Sequence, residues 1–479
     1  MDVILGADIG TTHIKVVTAT TAGETLSVLK RAVITSQPAA GFHEQSPEEI
    51  FRDVIDLCNQ ALDNLSKEDR VLAISFSTAM HSLLLTDEYG SALTSMLTWA
   101  DIRSTAQADG LKNTVSVEQL YHRTGTPLHP MSPLCKIIWF RENEPALFER
   151  AARFVSFKEF LFYHLTGEWL VDYSMASATG LFDSQRLQWD DEALELAGIT
   201  AGRLAEPVPV TYMSTGDKLL LSVNNEPVKL IIGGSDGAMA NLGAGAVGKG
   251  RAAVTIGTSG ALRLLQEGYK PDRRGQLFFY LLDENTWITG GAINNGGLAI
   301  EWLSGLFDKP VNDLLTEMAD VAPGSEGLLC VPYLQGERFP VWDAKISGSF
   351  AGLRAYHTRA HFVRAIVEGI CYSMQEILEA LRSNEYVVKE LIASGGFTQS
   401  SEWVQMLADI TGLRVNLPSN AEASAMGAIF TALYALGLRG SWDEAAGFIR
   451  DEKIVQPDNN RRAVYAEGYQ RYLLLRNVT

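Results

Sequence analysis

A five-residue word that occurs twice restricts this chain more than any other feature. Asp8-Ile9-Gly10-Thr11-Thr12 returns as Thr255-Ile256-Gly257-Thr258-Ser259, 247 positions later and close to the middle of the 479-residue chain. Each copy is entered by an apolar strand-like run, Val3–Ala7 or Ala252–Val254, and left by another, Ile14–Val17 or Ala261–Leu265. A chance pentapeptide does not require the same flanks twice, so the repeat predicts two related half-molecules. A chain of this length exceeds one ordinary core. The division expected on these grounds is 1–245 and 246–479.

Local patterns predict α/β architecture. The first 35 residues read as a three-strand antiparallel meander, Val3–Asp8, His13–Thr20 and Thr25–Thr35, with breaks at Gly10-Thr11-Thr12 and Ala22-Gly23. A helix follows with Ser46 as N-cap, Pro47 at the first helical position and Glu49 completing a capping box. Beyond the midpoint, strands and helices alternate: Leu391–Ser394, Ser401–Ile410, Val415–Leu417 and Ala423–Leu436.

The 57 Asp and Glu residues outnumber the 40 Lys and Arg, giving a net charge of −17 that repels phosphate backbones and anionic lipid. Nucleic acid is excluded as an expected partner. An anionic ligand must therefore find N–H groups and cations arranged locally. Cys58, Cys135, Cys330 and Cys371 are scattered without metal-ligand spacing, which suits reduced thiols. No apolar run is long enough to span a bilayer, and no basic leader precedes Val3, so the expectation is a cytoplasmic protein with no membrane partner.

A Gly-Thr-Thr or Gly-Thr-Ser turn between strands offers backbone N–H groups and hydroxyls at one point, which suits phosphate oxygens. One such turn is an ordinary hairpin connection; two in the same context shift the reading to phosphate binding. Asp8 precedes the first turn, whereas the neutral Thr255 precedes the second, so the halves are not chemically interchangeable. A carboxylate beside a phosphate cradle suits Mg²⁺, a hard cation that takes oxygen ligands. Asp236 emerges from the apolar run Leu230–Ile232 through Gly233-Gly234, placed either to accept a proton from an attacking hydroxyl or to cap the next helix.

Gly243-Ala244-Gly245-Ala246-Val247-Gly248-Lys249-Gly250 imitates two nucleotide-binding motifs but has Gly250 where a P-loop needs Ser or Thr. It reads instead as a flexible passage between halves. Met80-His81-Ser82 and Trp99-Ala100-Asp101-Ile102-Arg103 combine aromatic surface, carboxylate, imidazole and guanidinium, the mixture that sugars bind. Taken singly, His81 also reads as a structural histidine, and Asp101 with Arg103 as a solvated turn.

Two longer patterns identify a family. Residues 131–143 read Met-Ser-Pro-Leu-Cys-Lys-Ile-Ile-Trp-Phe-Arg-Glu-Asn, and Gly348-Ser349-Phe350-Ala351-Gly352-Leu353 is followed, after seven intervening residues, by His361 to Glu368. With these patterns the chain resembles, nearly end to end, the FGGY family of carbohydrate kinases. That resemblance implies two actin-like (ribonuclease H-like) domains with a catalytic cleft between them: an N-terminal sugar domain and a C-terminal nucleotide domain. It implies ATP and Mg²⁺ as cofactors, with Asp8 and Asp236 at the metal and Asp236 as catalytic base. It also implies Gly10, Thr11, Thr12, Gly257, Thr258 and Ser259 around the phosphates, with Lys15 reaching toward them. Gly297, Glu301, Gly395, Gly396 and Ser400 would lie at the nucleotide, and Met80, His81, Trp99, Asp101, Arg103 and Asp236 at the sugar. A homodimer is a family-level expectation.

Within the family, Ala79-Met80-His81-Ser82-Leu83, Trp99 to Ser104 and Gly336-Glu337-Arg338 are most similar to gluconate kinases. Xylulose kinases more typically carry Gly after Met-His. Ile102, Phe339 and Val341 depart from the gluconate-kinase pattern. The expected activity is transfer of the ATP γ-phosphate to gluconate, with Arg103 or His81 meeting the substrate carboxylate. A ketose kinase, or a non-catalytic nucleotide switch on the same fold, are the competing readings.

Overall fold

The computed structural model describes residues 1–215, 220–223, 226–419, 422–448 and 451–478. They form two compact units. The first comprises Met1–Val247, Gln266–Ile288 and Glu422–Ile449; the second comprises Gly248–Leu265, Thr289–Ala421 and Arg450–Thr479. The expected division at 245/246 falls beside the first of these boundaries, whereas 266–288 and 422–449 group with the first unit.

In the first unit, Asp2–Ile9 pairs antiparallel with His13–Thr20, which pairs antiparallel with Thr25–Ala32. On its other edge Asp2–Ile9 runs parallel to Arg70–Thr78, which runs parallel to Lys229–Ser235. The short strand Met213–Thr215 completes this six-stranded sheet.

The second unit repeats the plan. Arg251–Ile256 pairs antiparallel with Gly260–Glu267 and parallel with Glu390–Ser394, which runs parallel to Arg414–Pro418; Asp451–Val455 closes that edge antiparallel. The repeated pentapeptide thus occupies the same turn of the same hairpin in both sheets. The sequence repeat marks a repeat of topology.

Apolar alternation explains the layers. One face of the first sheet, with Leu5, Ala7, Val16 and Ile74, packs under the helix Pro47–Asp63, whose Ile50, Val54, Leu57 and Leu62 share one stripe. Ser46 caps that helix as expected, accepting from the Glu49 N–H. The opposite face, with Ile4, Val17, Ala73 and Ile231, carries the helix Ala423–Ala435 through Ala425, Met426, Ile429 and Leu433.

That second helix approaches backbone to backbone. A Cβ on Gly6 would meet the Ala425 carbonyl oxygen at 2.2 Å, one on Gly243 the Ala423 oxygen at 1.8 Å, and one on Gly427 the Met239 oxygen at 1.9 Å. Gly243 therefore serves close packing against a neighbouring helix. Ala244, Ala246 and Val247 behind it are buried, and Asn241 Nδ2 donates to the Ala246 carbonyl at 2.6 Å. The start of the small-residue run is a packed element, which corrects its reading as a flexible passage.

The helix Phe157–Thr166 carries an acid on its buried side. Ser156 caps it and donates to the Glu159 carboxylate, and burial pushes the Glu159 pKa up to about 7. An unfolded glutamate titrates near pH 4.3, so the folded state binds the extra proton between these values. This contribution to stability is therefore present at low pH and lost as pH rises from about 4.5 to about 7. Glu159→Gln keeps an acceptor for Ser156 and is expected to remove up to about 3 kcal/mol of that decline. Urea midpoints measured from pH 5 to 7.5 check this; an unchanged slope in the variant would reject it.

Candidate active site

The turn Gly10–Thr12 is fastened at several points. Gly10 N donates to the His13 carbonyl at 3.0 Å, and Gln45 Nε2 donates to the Thr11 carbonyl at 2.7 Å. Asp8 sits at the end of its strand, half-buried, and its Oδ1 accepts from Ser77 Oγ at 2.8 Å. Burial pushes the Asp8 pKa up to about 7. Ser77 opposes that rise, whereas the nearby Asp236 carboxylate adds to it. Two carboxylates that repel one another create the field that a divalent cation relieves.

Asp236 begins the helix Asp236–Gly243. Ser235, and not Asp236, is the N-cap, accepting from the Ala238 N–H. Asp236 accepts instead from the Gly237 N–H at 2.8 Å. Its approach strand is irregular: the pairing register to Arg70–Thr78 slips between Ile231 and Gly234. Gly233 has φ +66°, and a Cβ there would meet the Phe76 carbonyl oxygen at 1.9 Å. Such a bulge leaves carbonyls without ladder partners, and a buried lysine supplies them. Lys158 Nζ donates to the carbonyls of Ile232 at 2.6 Å, Phe76 at 3.1 Å and Gly234 at 3.2 Å, with Asp172 Oδ2 at 3.6 Å. Ser235 N donates to Ser174 Oγ at 2.7 Å, and Ser174 Oγ donates to Asp172 at 2.5 Å. The turn bearing Asp236 is thus held from beneath.

Met80, Ser82, Thr98 and Trp99 line one crevice of the first unit with Gly10 and Thr11. The structure accordingly brings the segments expected to face a sugar together with the first glycine-threonine turn. His81 is 5% exposed with φ +64°, a conformation uncommon outside glycine, and its Nδ1 lies 2.9 Å from the Ala178 carbonyl.

Three expected contacts are used differently. Arg103 donates to Asp101 through Nε at 2.9 Å and to Glu44 through Nη2 at 2.6 Å, and its guanidinium lies 3.8 Å from the Phe42 ring centroid. Asp101 is fully buried, accepting also from the His43 N–H at 2.8 Å. The pair builds a wall, with the Arg103 charge offset by two carboxylates. Lys15 is engaged similarly by Glu422, within the same unit, rather than reaching out alone.

In the second unit the glycine loops converge. Gly297 N donates to the Gly257 carbonyl at 2.6 Å, and Gly296 N and Leu298 N both donate to Thr258 at 3.1 Å. A Cβ on Gly297 would meet Gly257 O at 2.9 Å, and one on Gly395, at φ +98°, would meet Ile256 O at 2.5 Å. Gly396, after Gly395, has open space where a Cβ would stand. The turn Gly257–Ser259 therefore abuts the first turn of the helix Gly297–Phe307, whose dipole favours an anion while its first amides brace the turn. Glu301 lies exposed one turn along that helix. Ser400 caps the helix Ser401–Thr411, accepting from the Trp403 N–H at 3.3 Å. Thr255 and Ser394 hydroxyls are 2.9 Å apart, at the position matching Asp8 and Ser77.

Several supporting residues escaped the sequence reading. Ser77, Lys158, Glu422 and Gln45 act across 34 to 407 positions of chain. Lys158 alone left a local trace, a lysine amid Phe157, Phe160, Leu161 and Phe162.

Two duplicated sheets, each with a glycine-threonine turn at the same hairpin, and a carboxylate pair in one unit alone define an actin-like phosphotransferase. Residues 3–243 match the FGGY family of carbohydrate kinases, N-terminal domain, and residues 252–436 match its C-terminal domain. The chain is 38% identical over 462 residues to a gluconokinase of Bacillus subtilis (strain 168), covering 93% of this chain and 90% of that one. Among solved structures, gluconate kinase from Lactobacillus acidophilus superposes with a TM-score of 0.92 at 30% identity, covering 100% of this chain and 98% of that one. A ligand-bound xylulose kinase from the same organism gives 0.94 at 29% identity, with the same coverage. The chain belongs to the FGGY family of carbohydrate kinases, enzymes that transfer phosphate from ATP to an alcohol group. Among its described residues, no helix is long and apolar enough to cross a membrane.

Proposed function

We propose that this chain is a gluconate kinase, converting D-gluconate and ATP to 6-phosphogluconate and ADP. The observation that carries the choice of sugar acid is the 38% identity to a gluconokinase across nearly the whole chain. The crevice joining Met80, Ser82 and Trp99 to Gly10 and Thr11 supports a sugar hydroxyl delivered beside a phosphate turn.

ATP supplies the phosphoryl group. Thr258 and Ser259, on a turn braced by the Gly296 and Gly297 amides, would hold phosphate oxygens in the second unit, with Gly395 and Gly396 leaving room for the nucleoside. Asp8 and Asp236 fit Mg²⁺, which typically binds through one or two carboxylates plus phosphate oxygens and water. The described residues contain no cluster of three metal-ligating side chains, which suits that arrangement better than an all-protein cage. Asp236, on its fixed turn, takes the proton from the attacking hydroxyl.

The test is ADP release with Mg-ATP over gluconate, xylulose, ribulose and glycerol, with products identified by mass. Gluconate is expected to exceed every other sugar by at least tenfold in kcat/KM. Preference for xylulose, which the likeness to a xylulose kinase structure makes the main comparison, would overturn the gluconate assignment while leaving the class of reaction intact. ATP and sugar binding without product would favour the switch reading.

A further inference from the structure

Lys136 stands in the middle of the Met131–Asn143 pattern, on the helix Pro133–Asn143, and its side chain is fully buried. A lysine in such a place needs acceptors for its N–H groups, since an unpaired buried amine is costly. Nζ donates at 2.7 Å to the His81 carbonyl and at 2.7 Å to the Thr98 carbonyl. Both acceptors belong to crevice-lining segments: His81 lies between Met80 and Ser82, and Thr98 precedes Trp99.

These two segments already touch at one place, where Leu83 and Leu97 exchange N–H···O bonds of 3.0 and 2.8 Å. Two residues before that bridge, His81 sits at φ +64°. A non-glycine residue in this region persists only when its surroundings over-determine it. The imidazole contact to Ala178 is one restraint; the Lys136 ammonium on the His81 carbonyl is another. Burial pushes the Lys136 pKa down to about 7, opposed by the Asp101 carboxylate. Charged or neutral, the amine keeps enough N–H groups for both carbonyls.

We propose that Lys136 is a positioning residue for the sugar end of the site: it clamps the His81 and Thr98 backbones so that Met80, Ser82 and Trp99 face the substrate in one arrangement. The inference deepens the sugar-kinase reading and rests on it for the meaning of the crevice. Its effect is directional. Loss of the clamp loosens the first unit's crevice and leaves the glycine loops of the second unit untouched.

Lys136→Met preserves side-chain length and removes both hydrogen bonds. With the sugar that wild-type enzyme turns over best, its KM is expected to rise at least tenfold, with KM for ATP within twofold and kcat within threefold. Lys136→Arg, which retains donors and charge, is expected to recover most of the loss. Hydrogen exchange of the full-length variant without ligand supplies an independent reading: amides in 79–83 and 96–104 are expected to lose at least tenfold protection while those in 289–419 are unchanged. A wild-type sugar KM with wild-type exchange, or an even rise in exchange along the whole chain, overturns the proposal. If wild-type enzyme turns over no sugar, the proposed function fails, while the exchange pattern still decides whether the clamp exists.

Discussion

Asp236→Asn is expected to lower kcat by about 10³-fold while leaving the fold intact. The asparagine carbonyl keeps the acceptor for the Gly237 N–H, and Ser235 still caps the helix, so the turn has no reason to move. What disappears is a basic oxygen at the end of the Gly233-Gly234 bend, together with one member of the carboxylate pair with Asp8. General base catalysis alone is worth about 10²–10⁴-fold. Loss of a carboxylate near Mg²⁺ weakens the metal as well, and the variant is expected to need more Mg²⁺ for half-maximal rate. Steady-state kinetics at several Mg²⁺ concentrations, with thermal melting as a control on folding, check both parts. Turnover within threefold of wild type would remove Asp236 from the mechanism.

The second large effect concerns stability, and propensity and packing predict it with opposite signs. Gly427 lies inside the helix Ala423–Ala435, where alanine is better than glycine by about 1 kcal/mol on helix propensity. Yet the new Cβ would stand 1.9 Å from the Met239 carbonyl oxygen and 2.6 Å from its carbon, atoms of a second helix backbone that has no rotamer to change. Gly427→Ala is therefore expected to destabilise the first unit by about 4 kcal/mol, at the upper end of single substitutions, and to lower its melting midpoint by roughly 10 °C. Gly305 is the control: it too is inside a helix, and nothing lies within 4 Å of its added Cβ. Gly305→Ala is expected to stabilise by about 0.5–1 kcal/mol. Calorimetry of the two variants separates the effects, and a Gly427→Ala midpoint at or above wild type would mean that the helices do not pack this closely.

Much of this protein is determined within short stretches of chain. The meander Asp2–Ile9, His13–Thr20 and Thr25–Ala32 follows from alternation broken by Gly10 and Gly23, and Ser46-Pro47 starts its helix by local capping. The repeated pentapeptide discloses the duplicated sheet because a turn between two paired strands is a local structure, and its residues recur wherever that structure does. The positions of Asp8 and Asp236 at strand ends are local in the same way: Asp8 lies two residues before Gly10, and Asp236 follows Gly233-Gly234 and precedes Gly237.

Tertiary structure decided what each charge does. Arg103 reads as an open cation until the fold brings Glu44 to it, and Lys15 does so until Glu422 arrives from 407 positions away. The same sequence words cannot tell a ligand-facing charge from a paired one, because pairing is a property of distance in space. Gly243 reads as part of a flexible passage for a parallel reason: its need for a missing Cβ comes from Ala423 and Gly427 on another helix, which no local pattern contains. The buried lysines Lys136 and Lys158 owe their roles to backbone carbonyls that segments distant in sequence bring to them, at a left-handed His81 and beside a bulged sheet.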